Sequence, residues 1–346
     1  MELAPAIEPV RVTTPAAVTP ARTIVVVTLD GIRWQEVFRG VDPVLAKEYE
    51  LGTPETARRL VPRMQHLMHG EGAVIGAPGH GAVMSAVGPA FISMPGYVEI
   101  LRGRAVPDCW SNDCALPAEP SLLEELAAQP GVRPGEVAMF ASWHALRRFG
   151  DERVVVSAGR NGGVNLAMLE ADPQLRRWLE AGRRARDRLG GPEYRLDRHT
   201  GELALRYLSS FQPRFLFVSL GDSDEHGHAN DYPSYLQALR EADRFVGRVV
   251  DALRDLRQKG AKVTLVVTTD HGRDRTAYGH GPAIPESGRV WLIAWGDGIV
   301  SHGVVASPRP RYLIDIAPTV RTLAGLDPDT RPGAGRVLSE LVTEEP

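Results

Sequence analysis

Three apolar runs in this chain stop in the same way. The stretches "TIVVVTLDG" (23–31), "RFLFVSLGD" (214–222) and "KVTLVVTTDHG" (262–272) pass through β-branched and aromatic residues and reach an aspartate at or just past the end of the run. Continuous rather than alternating hydrophobicity marks a strand buried on both faces, the setting of a parallel sheet. Helical patterns lie between and after these runs. The clearest spans 231–259, where Tyr235, Leu239, Ala242, Phe245, Val249, Leu253 and Leu256 recur at intervals of three or four residues. Asn230 or Asp231 can cap its start and Gly260 can end it. "RVWLIAWG" (289–296) reads as a further strand, and "YLIDIAPTVRTLAGL" (312–326) as a closing helix. Strands alternating with helices predict an α/β fold, a mostly parallel central sheet covered by helices on both faces. Functional groups then belong at the carboxyl edge of the sheet.

The 346 residues, 43% of them apolar, can build a sizeable core. Residues 23–346 read as a single domain, with no linker that would justify a second. The stretch 105–210, richer in Pro, Gly and Arg and poorer in strand signals, reads as insertions around the site. The first 22 residues, "MELAPAIEPVRVTTPAAVTPAR", have neither helical nor alternating periodicity and suit a disordered leader or tether. A formal charge of −3 offers no broad basic surface for nucleic acid. No stretch is long and apolar enough for a transmembrane segment. The only cysteines, Cys109 and Cys114 in "CWSNDC", are close enough to close a tight loop. A disulfide there favours an oxidising compartment, so export to the periplasm or outside the cell is the preferred expectation, with the cytoplasm as the alternative.

Chemistry concentrates in four places. "TTDHGRDRTAYGHGP" (268–282) brings Asp270, His271 and His280 into one loop, and imidazole with carboxylate is a donor set suited to zinc. "GDSDEHGHAND" (221–231) holds two pairs at four-residue spacing, Asp224 with His228 and Asp222 with His226, either of which shares one face of a helical turn. Gly227 leaves room for close approach to an ion. Asp30 ends the first strand in an Asp-Gly turn pair. In "FISMPGYVEILRGR" (91–104), Ser93 precedes a turn and a helical pattern, where backbone N–H groups can receive an anion or the serine can merely cap.

In this order the segments resemble the alkaline phosphatase superfamily, in particular its type I phosphodiesterase and nucleotide pyrophosphatase-like branch. That family presents a strand-end Asp, a Ser or Thr before x-Pro, Asp-x-x-x-His, Asp-His-Gly and a lone His. These correspond here to Asp30, Ser93, Asp224 with His228, Asp270 with His271, and His280, and "DIAPTVRTLAGL" (315–326) is similar to the family's closing helix. The resemblance covers about residues 23–340. It implies an alkaline phosphatase-like three-layer α/β/α sandwich and two Zn²⁺ ions, with Mn²⁺ or another divalent metal as the alternative. One ion would be held by Asp224, His228 and His280, the other by Asp30, Asp270 and His271. Ser93 would be the nucleophile, and Asp222 and His226 bystanders. Zinc lowers the pKa of a bound water from about 15.7 to about 7, and a serine hydroxyl beside it would be activated in the same way.

The implied function is hydrolysis of a small-molecule phosphate ester, mono- or diester, through a phosphoserine. Sequence departs from the branch at Gly96, where those enzymes carry an Asn that helps bind phosphate; Asn112, Arg104 and Arg160 are the candidate substitutes. A sulfatase of the Ser/Cys-x-Pro-x-Arg type would need Arg where Tyr97 stands. A sulfatase or phosphonate-ester hydrolase of the same superfamily, and a zinc-bearing binding domain without catalysis, are the alternatives.

Overall fold

The computed structural model describes residues 22–80, 83–185, 189–300, 303–307, 309–327 and 329–343. The expected leader, apart from Arg22, lies outside them. Eleven strands occur among the described residues: β1 (Thr23–Leu29), β2 (Ala73–Ile75), β3 (Met84–Ser85), β4 (Val137–Ala141), β5 (Val155–Ala158), β6 (Phe215–Leu220), β7 (Val263–Thr268), β8 (Arg289–Val290), β9 (Leu292–Gly296), β10 (Gly303–Val304) and β11 (Arg311–Tyr312). Eight form one sheet in the order β10-β2-β9-β7-β1-β6-β4-β5, and β11-β3-β8 form a small second sheet.

The three Asp-ended runs become the adjacent strands β7, β1 and β6, paired in parallel with Thr28 opposite both Ser219 and Thr268. Every residue of the three is buried. Alternation divides their side chains between two cores. Val25, Val27, Leu29, Leu216, Val218, Leu265 and Val267 enter one core with Tyr235, Leu239, Val249 and Leu253 of the helix Tyr232–Gln258. Ile24, Val26, Phe215, Phe217 and Val266 enter the other with Tyr97, Val98 and Ile100 of the helix Ser93–Arg102 and with Ile316 and Val320 of the helix Ile316–Leu323. The result is the three-layer α/β/α sandwich with a mostly parallel sheet.

Two expectations change. The run 289–296 is not one strand: β8 joins β3, β9 joins β7, and the buried Trp291 lies between them, its indole N–H donating to the Ile32 carbonyl at 3.2 Å. β9 is antiparallel to both its neighbours and alone in the main sheet runs against the rest. After β7 the chain stays at the carboxyl edge through residues 269–288, so it re-enters the sheet from that edge; a parallel return would have required a crossover. The stretch 105–210 is also more regular than expected. It supplies β4 and β5, which extend the sheet beyond β6, and most of the helix Asp197–Phe211, which packs on the first core.

The helix Ser93–Arg102 lies against the end of β7 because residue 96 has no side chain. A Cβ on Gly96 would overlap the carbonyl oxygen of Asp270. Helix propensity alone predicts that Gly96→Ala stabilises the protein by roughly 0.5–1 kcal/mol. The close approach predicts the reverse, a loss of about 1–3 kcal/mol from overpacking. Urea unfolding of the variant reads the sign.

Candidate metal centre and nucleophile

Each proposed ligand is fixed by the element that carries it. Asp30 directly follows β1; the N–H of Gly31 donates to Asp270 Oδ1 at 3.2 Å, and the Tyr97 hydroxyl donates to Asp30 Oδ2 at 3.0 Å. Each of these carboxylates thus has one oxygen satisfied. The others, Asp30 Oδ1 and Asp270 Oδ2, are buried without a hydrogen-bond partner and lie 3.4 and 3.5 Å from His271 Nε2. His271 Nδ1 is 2.9 Å from the Gly272 carbonyl, which can only accept, so Nδ1 carries the proton and Nε2 presents a lone pair.

The second group forms on the helix Asp222–His228. Asp224 and His228 are one turn apart there, with Oδ2 and Nε2 at 3.0 Å. His280 Nδ1 faces the Phe91 carbonyl at 3.1 Å, which by the same logic turns a lone pair on Nε2 toward His228 Nε2, also at 3.1 Å. In both triads the donor atoms lie within 4.8 Å of one another. A tetrahedral ion with ligands at 2.0–2.1 Å needs them about 3.3 Å apart, so spacings of 3.0–3.5 Å fit a zinc-sized ion. Orphaned buried carboxylate oxygens are what such a position leaves when described by protein atoms alone.

The electrostatics favour either protons or a cation at these carboxylates. Burial, then the nearby Asp270 and Asp224, push Asp30 well above the carboxylate range; burial and Asp224 push Asp270 up to about 8. Asp224 is the exception: burial raises it, but Arg273, His228 and the other imidazoles hold it well below its ordinary value. Burial, reinforced by His280, keeps His271 neutral.

Ser93 is the first residue of its helix. Ile92 occupies the cap position, and Ser93 Oγ lies 3.4 Å from His271 Nε2 instead of capping its own helix. Of the three candidate phosphate donors only Asn112 comes to the serine: its Oδ1 accepts from the N–H of Met94 at 3.0 Å. A disulfide between Cys109 and Cys114 closes the loop that holds it, and Arg148 donates to the Asn112 carbonyl at 3.4 Å. Arg104 instead donates to the Pro332 carbonyl beside Asp329, and Arg160 to the carbonyls of Tyr194 and Ala185. Their guanidinium groups are engaged by the fold, away from Ser93.

Several contributors were missed by the sequence reading or given another role by it. Gly227 makes room for the Arg273 guanidinium, which a Cβ there would overlap, rather than for an ion. Asp222, the rival of Asp224, accepts from Tyr194 Oη at 2.9 Å and from the N–H of Asp197 at 3.1 Å, while the Asp197 carboxylate accepts from the N–H groups of Gly221 and Asp222, each at 2.8 Å. This reciprocal clamp fixes the start of the helix that carries Asp224 and His228. Arg33, buried against Glu36, donates at 2.9 Å to the carbonyls of both Asp274 and Arg275 and so anchors the loop leading to His280. A lone arginine or aspartate on a loop carried no periodic or spacing signal by which to find these roles.

A family model described as "Metalloenzyme superfamily" matches residues 197–328, which include five of the six proposed ligands. The structure is similar to a phosphonate monoester hydrolase from Silicibacter pomeroyi (TM-score 0.58, 16% identity, 94% of this chain and 77% of that one). It is also similar to an alkaline phosphatase superfamily protein from Vibrio parahaemolyticus (TM-score 0.55, 16% identity, 93% and 70%). The family match covers the carboxyl-terminal part of the chain, and the structural similarity extends over nearly all of it as an alkaline phosphatase-like fold. A phosphopentomutase from Carboxydothermus hydrogenoformans is 30% identical over 115 residues, 33% of this chain. That match spans about a quarter of the mutase's length, 26%.

At these two triads a metal ion would have to compete with protons. In the metal-free protein Asp270 holds a proton up to about pH 8, against an ordinary value of 3.8. The folded state therefore binds that proton more tightly than the unfolded state does, and the contribution of Asp270 to metal-free stability falls as pH rises from about 4 to about 8, while His271 and His280, held below their ordinary value of 6.5, contribute in the opposite sense below that pH. Zn²⁺ affinity moves the other way, rising with pH over the same window by up to about tenfold per unit for each proton displaced. Thermal unfolding of chelator-treated protein, and calorimetric Zn²⁺ titration in buffers of different ionisation heat, check the two slopes.

Proposed function

We propose that the chain hydrolyses small-molecule phosphate esters, with Ser93 as nucleophile and Asp30, Asp224, His228, Asp270, His271 and His280 holding two Zn²⁺ ions. The observation that carries this reading is the convergence of a buried serine, which does not cap its own helix, on the donor atoms of two metal-sized triads. Bound divalent ions would supply Lewis-acid charge to the serine oxygen, the departing oxygen and the hydrolytic water.

The chain's own groups do the rest. Ser93 Oγ attacks phosphorus in line and the ester oxygen leaves opposite; water then attacks the phosphoserine, freeing phosphate and restoring the hydroxyl. Two inversions give net retention at phosphorus. Asn112 stands at the start of the serine helix with its Oδ1 committed to Met94, and its amide nitrogen has no partner among the described residues. We assign that nitrogen to a phosphoryl oxygen. It replaces the Asn that Gly96 displaces, a side chain the Asp270 carbonyl leaves no space for. Tyr97 fills the place of the sulfatase arginine and is spent on Asp30 and Ser219 (Oγ at 2.7 Å), which favours phosphate over sulfate.

The similarity to a phosphonate monoester hydrolase makes a phosphonate monoester one arm of the substrate panel, beside a phosphate monoester, a phosphate diester and a sulfate. In the superfamily a mutase is the alternative fate of a phosphoserine, and transfer to an added sugar acceptor in place of water distinguishes it.

Ser93→Ala is expected to keep both ions and the fold, changing stability by about 1 kcal/mol or less, while turnover drops at least on the order of a thousandfold. Metal analysis, unfolding and a chiral-phosphate assay of the wild type read the three parts. A variant running at the wild-type rate with two ions bound would refute the nucleophile. Reduction of the Cys109–Cys114 bridge, or Cys109→Ser with Cys114→Ser, frees the loop that seats Asn112; KM for the phosphate ester is expected to rise severalfold with metal content unchanged.

A further inference from the structure

Arg273 follows Asp-His-Gly directly and lies among the ligands rather than beside them. Its Nη2 donates to the Asp224 carbonyl at 2.7 Å and pairs with Asp224 Oδ1, its Nη1 donates to the Tyr278 carbonyl, and its side chain is fully buried. Two glycines house it. A Cβ on Gly227 would overlap the guanidinium, and one on Gly31 would crowd both Arg273 Nε and Asp224 Oδ1. Gly31 follows one ligand and Gly227 precedes another, so both ligand segments give up a side chain to admit one permanent positive charge.

That charge falls unequally on the two triads. Asp30, Asp270 and His271, fully buried and with two orphaned oxygens, offer an ion a formal charge of −2 once it has displaced their protons. Asp224, His228 and His280 carry −1, and their only carboxylate is already paired with a guanidinium that cannot be deprotonated. The second triad is also the more open, His228 having half its side chain exposed. A divalent ion entering it meets a neutralised carboxylate and a like charge in a region of reduced dielectric.

We propose that Arg273 makes the two metal positions unequal: the Asp30, Asp270 and His271 triad keeps its ion, while the Asp224, His228 and His280 triad holds an exchangeable one that an anionic phosphoryl group tightens. This rests on the reading of the six residues as ligands. Thermodynamic reciprocity makes the second half testable, since an anion that strengthens the ion must itself be strengthened by it.

Metal-stripped protein titrated with Zn²⁺ by calorimetry is expected to show two classes of site at least tenfold apart in affinity, with one ion per chain surviving dialysis against a weak chelator. Inorganic phosphate should tighten the weaker class severalfold and leave the stronger one unchanged. Arg273→Met should tighten the weaker class at least tenfold, whereas Arg273→Lys, which keeps the charge, stays near wild type. Equal affinities in the wild type, no tightening by phosphate, or Arg273→Met leaving the weaker class unchanged or weaker each overturn the proposal. The first two measurements need no variant and can overturn the proposal even where Arg273→Met does not fold. His280→Ala separates this inference from the reading beneath it: loss of the weaker class alone supports the ligand set, and retention of both ions means that the ligand reading itself has failed.

Discussion

Three carboxylates brought together by strand adjacency set the terms for the rest of the structure. Neighbouring strands stand about 4.8 Å apart, and β7, β1 and β6 are neighbours, so residues leaving their carboxyl ends are forced into one small volume. Asp30 follows β1 directly, Asp270 follows β7 after Thr269, and Asp224 is returned to them by the turn of helix after β6. None of the three reaches water freely. Like charges at such range in a buried setting raise one another's pKa, and the fold either protonates them or brings in cations. The surrounding features can be read as answers to that requirement.

Hydrogen bonding gives part of the answer, and it is selective. Tyr97 satisfies one oxygen of Asp30 and the Gly31 N–H one oxygen of Asp270, leaving one oxygen of each turned toward His271 Nε2. The two backbone carbonyls that fix the tautomers of His271 and His280 do the same for nitrogen. Under the proposed ligand assignment the donor atoms are thereby aimed in advance, so that an ion would not have to order them. Asp224 is treated differently, sharing its charge with Arg273, and the two triads cannot be electrostatic equivalents.

How much of this was legible in the sequence follows from how the information is encoded. β1, β6 and β7 announced themselves because a strand buried on both faces must be continuously apolar, and the helix Tyr232–Gln258 because 27 residues repeat one amphipathic pattern. Asp224 with His228 was legible as a spacing, though only the resemblance separated it from Asp222 with His226; the structure shows why the latter Asp looks elsewhere, toward Tyr194 and Asp197. β4 and β5 were missed because five- and four-residue strands carry little periodicity. The reversal of β9 was invisible because strand direction depends on where the preceding loop travels. Arg33, Tyr97, Asp197 and Arg273 act through contacts across long sequence separations, and no local pattern distinguishes such a residue from a solvated one.

The exchange of Asn for Gly at residue 96 shows how local absence and distant supply are coupled. Read along the chain, Gly96 is a missing phosphate donor. In three dimensions it is the residue that lets the serine helix press onto the Asp270 carbonyl, and any side chain there would lift Ser93 away from His271. The donor has to come from elsewhere. The Cys109–Cys114 loop reaches the same helix start from the opposite direction, with Asn112 bonded to Met94. Closing a short loop covalently limits the conformations Asn112 can explore, the condition under which a single amide can serve as a preorganised donor rather than a mobile surface group. The glycine and the disulfide are therefore two parts of one arrangement, a helix carrying Ser93 seated closely on the sheet edge with Asn112 delivered to its start from outside the helix.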